Sequence, residues 1–455
     1  MNLYKLLAAH SEAGKQVRVG LIGAGKFGTM FLSQVRRTIG VHLLGIADLD
    51  VARARAACGR TGWTEEQIAA RSFSEALKGR STFITDDADS LIEANGLEVL
   101  IEATGDPAAG IRHCLNAIKG GCHVIMVNVE ADVVAGPLLS RRAEAAGLVY
   151  SLAYGDQPAL ICEHVDWARA AGFDVVTAGK GTRYHPDFHK STPDTVWPNF
   201  GLTPEQAERG GMNPKMFNSF VDGTKSGIEM TAVCNATGLT PQPGGLTFPP
   251  VSVFDLAAVC KPKFAGGEVS HKGTTEVVSS IKRDRSAVES HLQMGTFVVV
   301  EAGSDYVGNC FEEYQMLPDP TREYAALYRP IHMIGLELGI SVASVALRGE
   351  ATGAASGFRS DVVATAKRDL KAGEILDGEG GYCVWGRQMP AAKSLEIGGL
   401  PLGLSNNVKL LNDIAEGQGL TWDNVEVNEN DPAILVRREM ESAFGRPNKS
   451  SVAAG

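Results

Sequence analysis

The chain has 455 residues, more than one ordinary hydrophobic core can organise, so two or three domains are expected. Its 43 Lys and Arg residues against 53 Asp and Glu residues give a net charge of −10, with the two signs interspersed. This balance argues against a nucleic-acid or membrane partner. Eight scattered cysteines form no C-x-x-C pair, and no stretch is apolar enough to span a bilayer, so we expect a reduced, cytoplasmic protein.

The N-terminal residues predict alternating helices and strands. Residues 1–13 indicate a short amphipathic helix, and Val17–Ile22 alternates like a strand. A glycine-rich turn follows directly, then a helix over Thr29–Arg37 and a second strand over His42–Ala47. This order and length are typical of a parallel strand–helix–strand crossover.

The glycine turn has the spacing of a dinucleotide-binding loop. Gly23 permits a tight turn after the strand, Gly25 lets the backbone approach a pyrophosphate, and Gly28 allows close packing of helix and strand. Lys26 and Phe27 lie between these glycines and are further candidates for cofactor contact. The pattern is weak alone, but its position between a strand and a helix favours a bound dinucleotide over a purely structural turn.

The residues after the second strand bear on which dinucleotide binds. Asp48 stands where a carboxylate binds the ribose 2′-hydroxyl of NAD. Arg53 and Arg55 follow, and they either contact the 2′-phosphate of NADP or lie on an exposed helix face. The residues by themselves leave NADH and NADPH both open.

Further alternation predicts a doubly wound parallel sheet, the Rossmann type of α/β fold, over residues 1–155. The predicted strands are Leu97–Ile101, His123–Val127 and Leu148–Ala153, and the helices between them are Ala108–Lys119 and Leu138–Ala146. Thr104, Gly105 and Asn128 follow strand ends at the carboxyl edge of this sheet, where such folds bind ligands. We predict that they line the ribose and nicotinamide, with ordinary loop roles as the alternative.

The rest of the chain changes character near Gly155. Residues 156–350 predict an α+β substrate and catalytic domain, and residues 351–455 a small β-rich domain after a Gly- and Ala-rich linker over Gly349–Arg359. The predicted elements are a strand at Phe173–Ala178, helices at Pro214–Thr237 and Ile331–Leu347, and short strands at Val362–Ala366, Gly373–Leu376 and Tyr382–Trp385. The tail from Arg446 is expected to fray.

A polar stripe is predicted on the helix over Pro214–Thr237. At about 100° per residue, four side chains fall within about 60° of one another: Asn218, Asp222, Lys225 and Glu229. A solvated stripe with ion pairs is the alternative to a functional face. The apolar continuation from Met230 favours function, because it indicates that the helix enters a core.

Two further segments carry candidate groups. Residues 180–190 follow a predicted strand and contain Lys180, His185, His189 and Lys190, which could bind a phosphate or a developing oxyanion. Pro186 interrupts the helical spacing of the two histidines, so no metal pair is predicted there, and a surface loop is the alternative.

Arg329 and His332 are predicted to lie near a helix start, which is another geometry for binding an anion. An exposed helix cap is the alternative. We predict no set of metal ligands from the sequence.

Several motifs together resemble one family. They are Gly23–Gly28, Ile101–Gly105, Met126–Asp132, Ala153–Ala159, Met212–Asn218, Asp222–Ser226 and Ala366–Glu374. The chain is similar, nearly end to end, to homoserine-dehydrogenase-like oxidoreductases with a C-terminal SAF-type domain, and most similar to the deoxyxylulose-phosphate-reductoisomerase-like family. The third domain would then be SAF-like.

The resemblance implies an activity. It is the NADPH-dependent conversion of 1-deoxy-D-xylulose 5-phosphate to 2-C-methyl-D-erythritol 4-phosphate in isoprenoid biosynthesis. Lys180 and Lys225 would then stabilise charge, and Asp222 or Glu229 would transfer a proton. Phosphate contact would come from His185, His189 or Lys190, with Asn218, Arg329 and His332 as further substrate-binding candidates. A homodimer is expected, and a divalent metal ion is compatible with this chemistry.

Two other functions stay open. One alternative is a dehydrogenase of homoserine or of another small hydroxy acid or sugar phosphate. True homoserine dehydrogenases have an Asn-Lys pair where this chain has Asn128 followed by Val129 and Glu130, which weakens this hypothesis but does not remove it. A dinucleotide-sensing binding protein is the alternative outside the enzymes. The polar stripe would be unusual in a pure sensor.

Overall fold

A computed structural model describes residues 2–445, so the tail predicted to fray from Arg446 lies outside the described residues. The chain forms two compact units. Of the described residues, the first contains 2–132, 139–163 and 331–354, and the second contains 133–138, 164–330 and 355–445. The predicted division into three domains at 155/156 and 350/351 stays a prediction.

The first unit contains a six-stranded parallel sheet in the order β3-β2-β1-β4-β5-β6. Its strands are β1 (Val17–Ile22), β2 (Val41–Ala47), β3 (Phe83–Thr85), β4 (Val99–Glu102), β5 (His123–Met126) and β6 (Tyr150–Leu152). Reversal of strand order beside β1 is the hallmark of a doubly wound sheet, so the predicted Rossmann fold is confirmed. The chain therefore places the ends of β1, β2, β4 and β5 along one edge.

Helices connect or follow these strands. They are α1 (Leu3–Glu12), α2 (Lys26–Val35), α3 (Val51–Arg60), α4 (Phe73–Gly79), α5 (Ala88–Ile92), α6 (Pro107–Lys119), α7 (Val129–Ala145) and α8 (Gln157–Ala170). Leu21 of β1 and Phe31 of α2 share one apolar core with Leu338, Val342 and Val345. The last three residues lie in or just before α15 (Gly339–Arg348), so this late segment packs into the first unit.

The second unit contains a mixed four-stranded sheet in the order β10-β9-β7-β8. Its strands are β7 (Asp174–Thr182), β8 (Thr274–Ser279), β9 (Thr296–Glu301) and β10 (Tyr324–Arg329). Its helices are α9 (Val196–Phe200), α10 (Pro204–Arg209), α11 (Pro214–Val221), α12 (Thr224–Thr237), α13 (Leu256–Val259) and α14 (Asp305–Glu313). β7 pairs in parallel with β8 and antiparallel with β9, which confirms the predicted α+β class.

The C-terminal residues of this unit form short strands, as predicted. They are β11 (Ser360–Ala366), β12 (Ile375–Asp377), β13 (Val384–Pro390), β14 (Asn406–Leu410) and β15 (Val425–Glu426), with helices α16 (Ala391–Ile397) and α17 (Pro432–Phe444). Arg437 of α17 is wholly buried and its Nη1 and Nη2 bind both carboxylate oxygens of Asp361 on β11. This buried pair fixes α17 to the strand. Within residues 2–445, no helix has the length and apolarity that crossing a bilayer requires.

Candidate functional site

The glycine turn between β1 and α2 leaves space where a dinucleotide would need it. Gly23 has φ +95°, and a Cβ there would lie 2.5 Å from the Ala103 carbonyl oxygen, so only glycine fits. A Cβ at Gly28 would lie 2.2 Å from the Gly23 carbonyl oxygen. A Cβ at Gly25 would meet nothing within 4 Å. Gly23 and Gly28 are therefore required by the fold, whereas Gly25 has open space on its Cβ side.

The two residues inside the turn differ in position. Lys26 is exposed at the start of α2, whose N-terminal N–H groups favour an anion. Phe27 is half-buried and packs against the core of the first unit. Cofactor contact by either side chain stays a prediction, and packing already accounts for Phe27.

The Asp48 carboxylate makes contacts within the protein that the sequence did not indicate. Its side chain is 1% exposed, Oδ2 accepts the Ala24 N–H at 2.7 Å, and Oδ1 lies 2.6 Å from Arg53 Nη2. The carboxylate thus joins the glycine turn to α3, and its binding of a ribose hydroxyl stays a prediction. Arg53 remains half-exposed with its guanidinium fixed at one end, and Arg55 lies exposed on the same helix.

The loops after β4 and β5 are tied together by side chains. The Asn128 amide donates to Thr104 Oγ1 at 3.3 Å and to the Asp106 carbonyl oxygen at 2.8 Å. Thr104 donates in turn to Glu102 Oε1 at 2.7 Å. Gly105 has φ +75° with nothing within 4 Å of a Cβ. Thr104 and Asn128 are therefore brought together at the predicted edge.

Sequence reasoning missed two buried residues beneath this edge. Glu102 is 0% exposed, and its Oε1 also pairs with His113 Nδ1 at 3.2 Å, while its Oε2 has no hydrogen-bond partner. The end of β4 and the middle of α6 bring these residues together. The Glu102 carboxylate beneath the loop orients the Thr104 hydroxyl. The sequence signal for this role is an acidic residue at the end of a buried strand.

In the second unit, Lys180 of β7 and Glu229 of α12 form a buried ion pair. Lys180 Nζ lies 2.5 Å from Glu229 Oε2, and the side chains are 7% and 5% exposed. Lys180 pairs opposite Val277 of β8, on the sheet face that carries Thr275, and α12 packs on this face through Cys234. The pair is thus held between sheet and helix, in a setting where charge interactions are stronger than in water.

The predicted single helix over Pro214–Thr237 is wrong. The chain forms α11 and α12 with a break at Asp222 and Gly223, where Gly223 has φ +90°. The left-handed conformation ends one helix and starts the next. Asn218 and Asp222 therefore do not continue the face of Lys225 and Glu229, which lie four residues apart on α12.

Asp222 and Asn218 have structural partners. Lys367 Nζ lies 2.7 Å from Asp222 Oδ2 and also donates to the carbonyl oxygens of Ser191 and Gly381 at 2.7 Å each. Asn218 Nδ2 donates to the Ser191 carbonyl oxygen at 2.9 Å. Both predicted site residues are fully buried, so the contacts favour a structural role for Asp222 over proton transfer. Lys225 is half-buried on α12.

The three phosphate candidates after β7 have different partners. His189 stacks on Trp385 with ring centroids 3.8 Å apart, and burial lowers its pKa, which favours the neutral ring. Lys190 is exposed and pairs with Glu416 at 2.6 Å. His185 Nε2 donates to the Arg283 carbonyl oxygen at 3.0 Å. Each of the three residues thus has a partner within the protein, and phosphate contact by any one of them stays a prediction.

The helix start predicted at Ile331 is wrong, because α15 begins at Gly339. Arg329 instead ends strand β10, and His332 lies in the connection that follows. Neither residue therefore stands at a helix N-terminus. Their binding of substrate stays a prediction without that geometric support.

The positions of the acidic, histidine and cysteine side chains bear on metal binding. Among residues 2–445, no group of three or more His, Cys, Asp or Glu side chains is arranged to hold a metal ion. The buried carboxylates at Asp222 and Glu229 each have a lysine partner instead.

Comparison with protein families gives one match. Residues 155–338 match the model described as oxidoreductase DRL, catalytic domain. This segment contains Lys180 and Glu229 and makes up less than half of the chain. A comparison with curated proteins gave no match. The family match supports oxidoreductase chemistry in this segment.

Solved structures show only distant similarity. A probable dehydrogenase from Thermotoga maritima is 12% identical with a TM-score of 0.36, covering 73% of this chain and 90% of that one. An NAD binding oxidoreductase from Klebsiella pneumoniae is 18% identical with a TM-score of 0.28, over 38% of this chain and 44% of that one. Biliverdin reductase from Synechocystis, in complex with biliverdin and NADP+, is 14% identical with a TM-score of 0.26, over 37% and 48%. The last two matches span less than half of those proteins, and no functional conclusion follows from scores this low.

Proposed function

We propose that this chain is an NAD(P)-dependent oxidoreductase whose substrate reacts beside the Lys180–Glu229 pair. The observation that carries the proposal is this buried ion pair, which lies within the segment that matches an oxidoreductase catalytic domain. The glycine turn supports the cofactor, because Gly25 is open on its Cβ side and α2 begins beside it. The cofactor supplies or accepts a hydride when bound.

The finer proposal is reductoisomerisation of 1-deoxy-D-xylulose 5-phosphate, which rests on the sequence resemblance. Skeletal rearrangement to an aldehyde needs a base for a hydroxyl proton and a cation beside the oxygen that becomes negative. Glu229 is suited to accept that proton and to return it when the rearrangement is complete. Lys180 is suited to stabilise the oxyanion. Reduction of the aldehyde consumes one more proton, which Lys180 can donate and regain from solvent.

For the cofactor we propose NADPH. Asp48 is already engaged by Ala24 and Arg53, and Arg53 is left half-exposed beyond the end of β2. A fixed guanidinium near the ribose position favours a 2′-phosphate by a charge-assisted hydrogen bond. This arrangement supports a phosphate contact by Arg53 over a ribose contact by Asp48.

The proposal is tested by comparing two reactions. NADPH oxidation is followed with 1-deoxy-D-xylulose 5-phosphate, and NAD(P)+ reduction is followed with homoserine. Turnover of the first substrate supports the finer proposal. Turnover of homoserine alone contradicts it but is consistent with the broader proposal of an NAD(P)-dependent oxidoreductase. Tight cofactor binding without turnover of either substrate or of other phosphosugars would favour a dinucleotide-sensing protein.

Two matched variants distinguish a catalytic from a structural role for Lys180. Lys180→Met and Lys261→Met each remove the ammonium of a buried Lys–carboxylate pair in the second unit, since Lys261 pairs with Asp319 at 2.7 Å. We expect both variants to lose stability, but only Lys180→Met to lower kcat by about 10²-fold or more among molecules that remain folded. Equal kcat values per folded molecule would contradict a catalytic Lys180.

A further inference from the structure

The loop of residues 103–106 borders the glycine turn of the first unit. A Cβ at Gly23 would lie 2.5 Å from the Ala103 carbonyl oxygen and 3.1 Å from the Thr104 main-chain nitrogen. The chain thus brings the end of β4 against the turn after β1, and Thr104 and Gly105 are exposed there. A dinucleotide crosses a doubly wound sheet at this point. The 2′-phosphate contact proposed for its adenosine half lies beyond β2, so its nicotinamide half would lie over the loop after β4.

The Thr104 side chain holds this loop in shape. Its Oγ1 accepts the Asp106 N–H and an N–H of the Asn128 amide, each at 3.3 Å. A hydroxyl has one hydrogen, and that of Thr104 is donated to Glu102 Oε1 at 2.7 Å. The acceptor side of the hydroxyl therefore faces the loop, and the shape of the loop depends on where the Glu102 oxygen lies.

Two residues of α6 hold that oxygen in place. His113 Nε2 lies 3.1 Å from Arg112 Nη2, and because a guanidinium only donates, Nε2 is the acceptor. The ring hydrogen is therefore on Nδ1, which donates to Glu102 Oε1 at 3.2 Å. The same carboxylate oxygen thus accepts from His113 and from Thr104. A continuous chain of hydrogen bonds runs from the exposed Arg112 through the protein interior to the loop.

Packing also fixes the Glu102 carboxylate. Glu102 is 0% exposed and His113 is 3% exposed. A Cβ at Gly110 of α6 would lie 3.2 Å from Glu102 Oε2 and 2.7 Å from Asn128 Nδ2, so the helix backbone lies directly against both side chains. Among residues 2–445, Glu102 Oε2 has no hydrogen-bond partner. A buried acceptor without a donor is costly, so its presence requires a reason.

We propose that Glu102 is a positioning residue for the nicotinamide half of the dinucleotide, and that it acts through the Thr104 hydroxyl on the loop of residues 103–106. The inference rests on one part of the proposed function, the binding of a dinucleotide at the glycine turn. A loop that has its shape before binding does not have to be ordered by the cofactor, which favours affinity. Without the carboxylate, the hydroxyl hydrogen loses its acceptor and the loop loses this support. Binding of the adenosine half would not change.

Two ligands separate the halves of the cofactor. Calorimetry gives the Kd of NADPH and that of adenosine 2′,5′-bisphosphate, which lacks the nicotinamide half. We expect Glu102→Met and Thr104→Val each to weaken NADPH by about tenfold, with the Kd of adenosine 2′,5′-bisphosphate nearly unchanged. The double variant should bind NADPH about as weakly as either single variant, because both changes break the same link. If NADH binds more tightly than NADPH, NADH and ADP take the place of these ligands.

Tyr150→Phe is the matched control. Tyr150 donates its hydroxyl to the buried carboxylate of Asp132 at 2.7 Å, so this variant and Thr104→Val each break a hydroxyl–carboxylate pair of the first unit. We expect Tyr150→Phe to bind both ligands as the wild type does. The fluorescence of bound NADPH, which reports the surroundings of the nicotinamide ring, should change in Glu102→Met and Thr104→Val only. Melting temperatures show which variants fold, and Thr104→Val, which keeps the shape of the side chain, tests the inference if Glu102→Met does not.

The outcomes distinguish this inference from the proposed function. Equal losses for NADPH and adenosine 2′,5′-bisphosphate would make Glu102 a structural residue and overturn the inference. Wild-type NADPH affinity in Thr104→Val, or losses that add in the double variant, would overturn it as well. In each of these cases the wild type still binds a dinucleotide and the proposed function stands. A wild type that binds neither NADPH nor NADH would overturn both.

Discussion

Asp48 Oδ1 lies 2.6 Å from Arg53 Nη2 just beyond the end of β2, and the other oxygen of the same carboxylate accepts the Ala24 N–H of the glycine turn. One side chain therefore fixes both the turn and a cation next to it. An isolated Asp at this position indicates NAD, but an Asp that is already paired with an arginine leaves the arginine to meet the ribose.

We therefore expect Arg53→Ala to weaken NADPH binding by about 1–3 kcal/mol, the range for a lost charge-assisted hydrogen bond, with NADH binding nearly unchanged. Fluorescence titration with both cofactors measures this difference. Arg55→Ala is the control, because Arg55 is exposed on the same helix. Equal losses for NADPH and NADH would count against a 2′-phosphate contact.

The second prediction concerns the glycine turn. Gly25→Val should abolish NADPH binding and leave the melting temperature near that of the wild type, since nothing lies within 4 Å of the new Cβ. Gly23→Ala should instead lower the melting temperature, because φ is +95° and the Cβ would lie 2.5 Å from the Ala103 carbonyl oxygen. Normal NADPH affinity in Gly25→Val would remove the dinucleotide assignment.

The parallel sheet of the first unit could be predicted because its signals are local. Apolar strands alternate with helices, and the glycines at 23, 25 and 28 mark the turn between β1 and α2. The short strand Phe83–Thr85 was missed, since three residues carry too little periodicity. Its place at the sheet edge is set by pairing with β2, which is tertiary information.

The break between α11 and α12 was missed for a physical reason. Periodicity reports which residues share a face only while the backbone stays helical, and Gly223 leaves that conformation at φ +90°. The Asp222–Gly223 dipeptide is a turn signal that argues against a continuous helix. Two of the four predicted stripe residues consequently have other surroundings.

The pairing of Lys180 with Glu229 could not be read from the sequence either, although both residues were candidates. It depends on α12 packing on the face of β7 that carries Lys180. Lys367 lies in the Ala366–Glu374 motif, but nothing in the sequence marks it as the partner of Asp222. Tertiary contacts decide which charged residue becomes buried and with what partner.

These two buried pairs lead to a third prediction. Glu229→Gln should lower kcat by about 10²-fold or more and retain cofactor affinity, because the amide cannot accept the substrate proton. Lys367→Met should mainly destabilise the protein, by about 3–5 kcal/mol, since it leaves the Asp222 carboxylate buried without its cation. Steady-state kinetics and urea unfolding of both variants distinguish these outcomes. A stability loss without a kinetic effect in Glu229→Gln would make that residue structural.

Asp132, in the first turn of α7, leads to a prediction about pH. Its carboxyl is fully buried and accepts the Tyr150 hydroxyl at 2.7 Å, and burial raises its pKa to about 7. The neighbouring titratable groups are Tyr150 on β6, Glu102 on β4 and Cys114 on α6. The folded protein therefore holds a proton that the unfolded chain releases near the ordinary value of 3.8.

The sign of the effect follows from this difference. Between about pH 4 and pH 7 the folded state binds more protons than the unfolded state, so the contribution of Asp132 to stability is fully present at low pH and is lost as pH rises towards 7. Asp132→Asn removes the titration and keeps an acceptor for Tyr150. The free energy of unfolding of both proteins is measured with urea at pH 5 and pH 8. From pH 5 to pH 8, the value for the variant should rise relative to that of the wild type by on the order of 2 kcal/mol. Contributions of other groups cancel in the difference between the two proteins, so a difference that is the same at both pH values would mean that Asp132 does not titrate in this range.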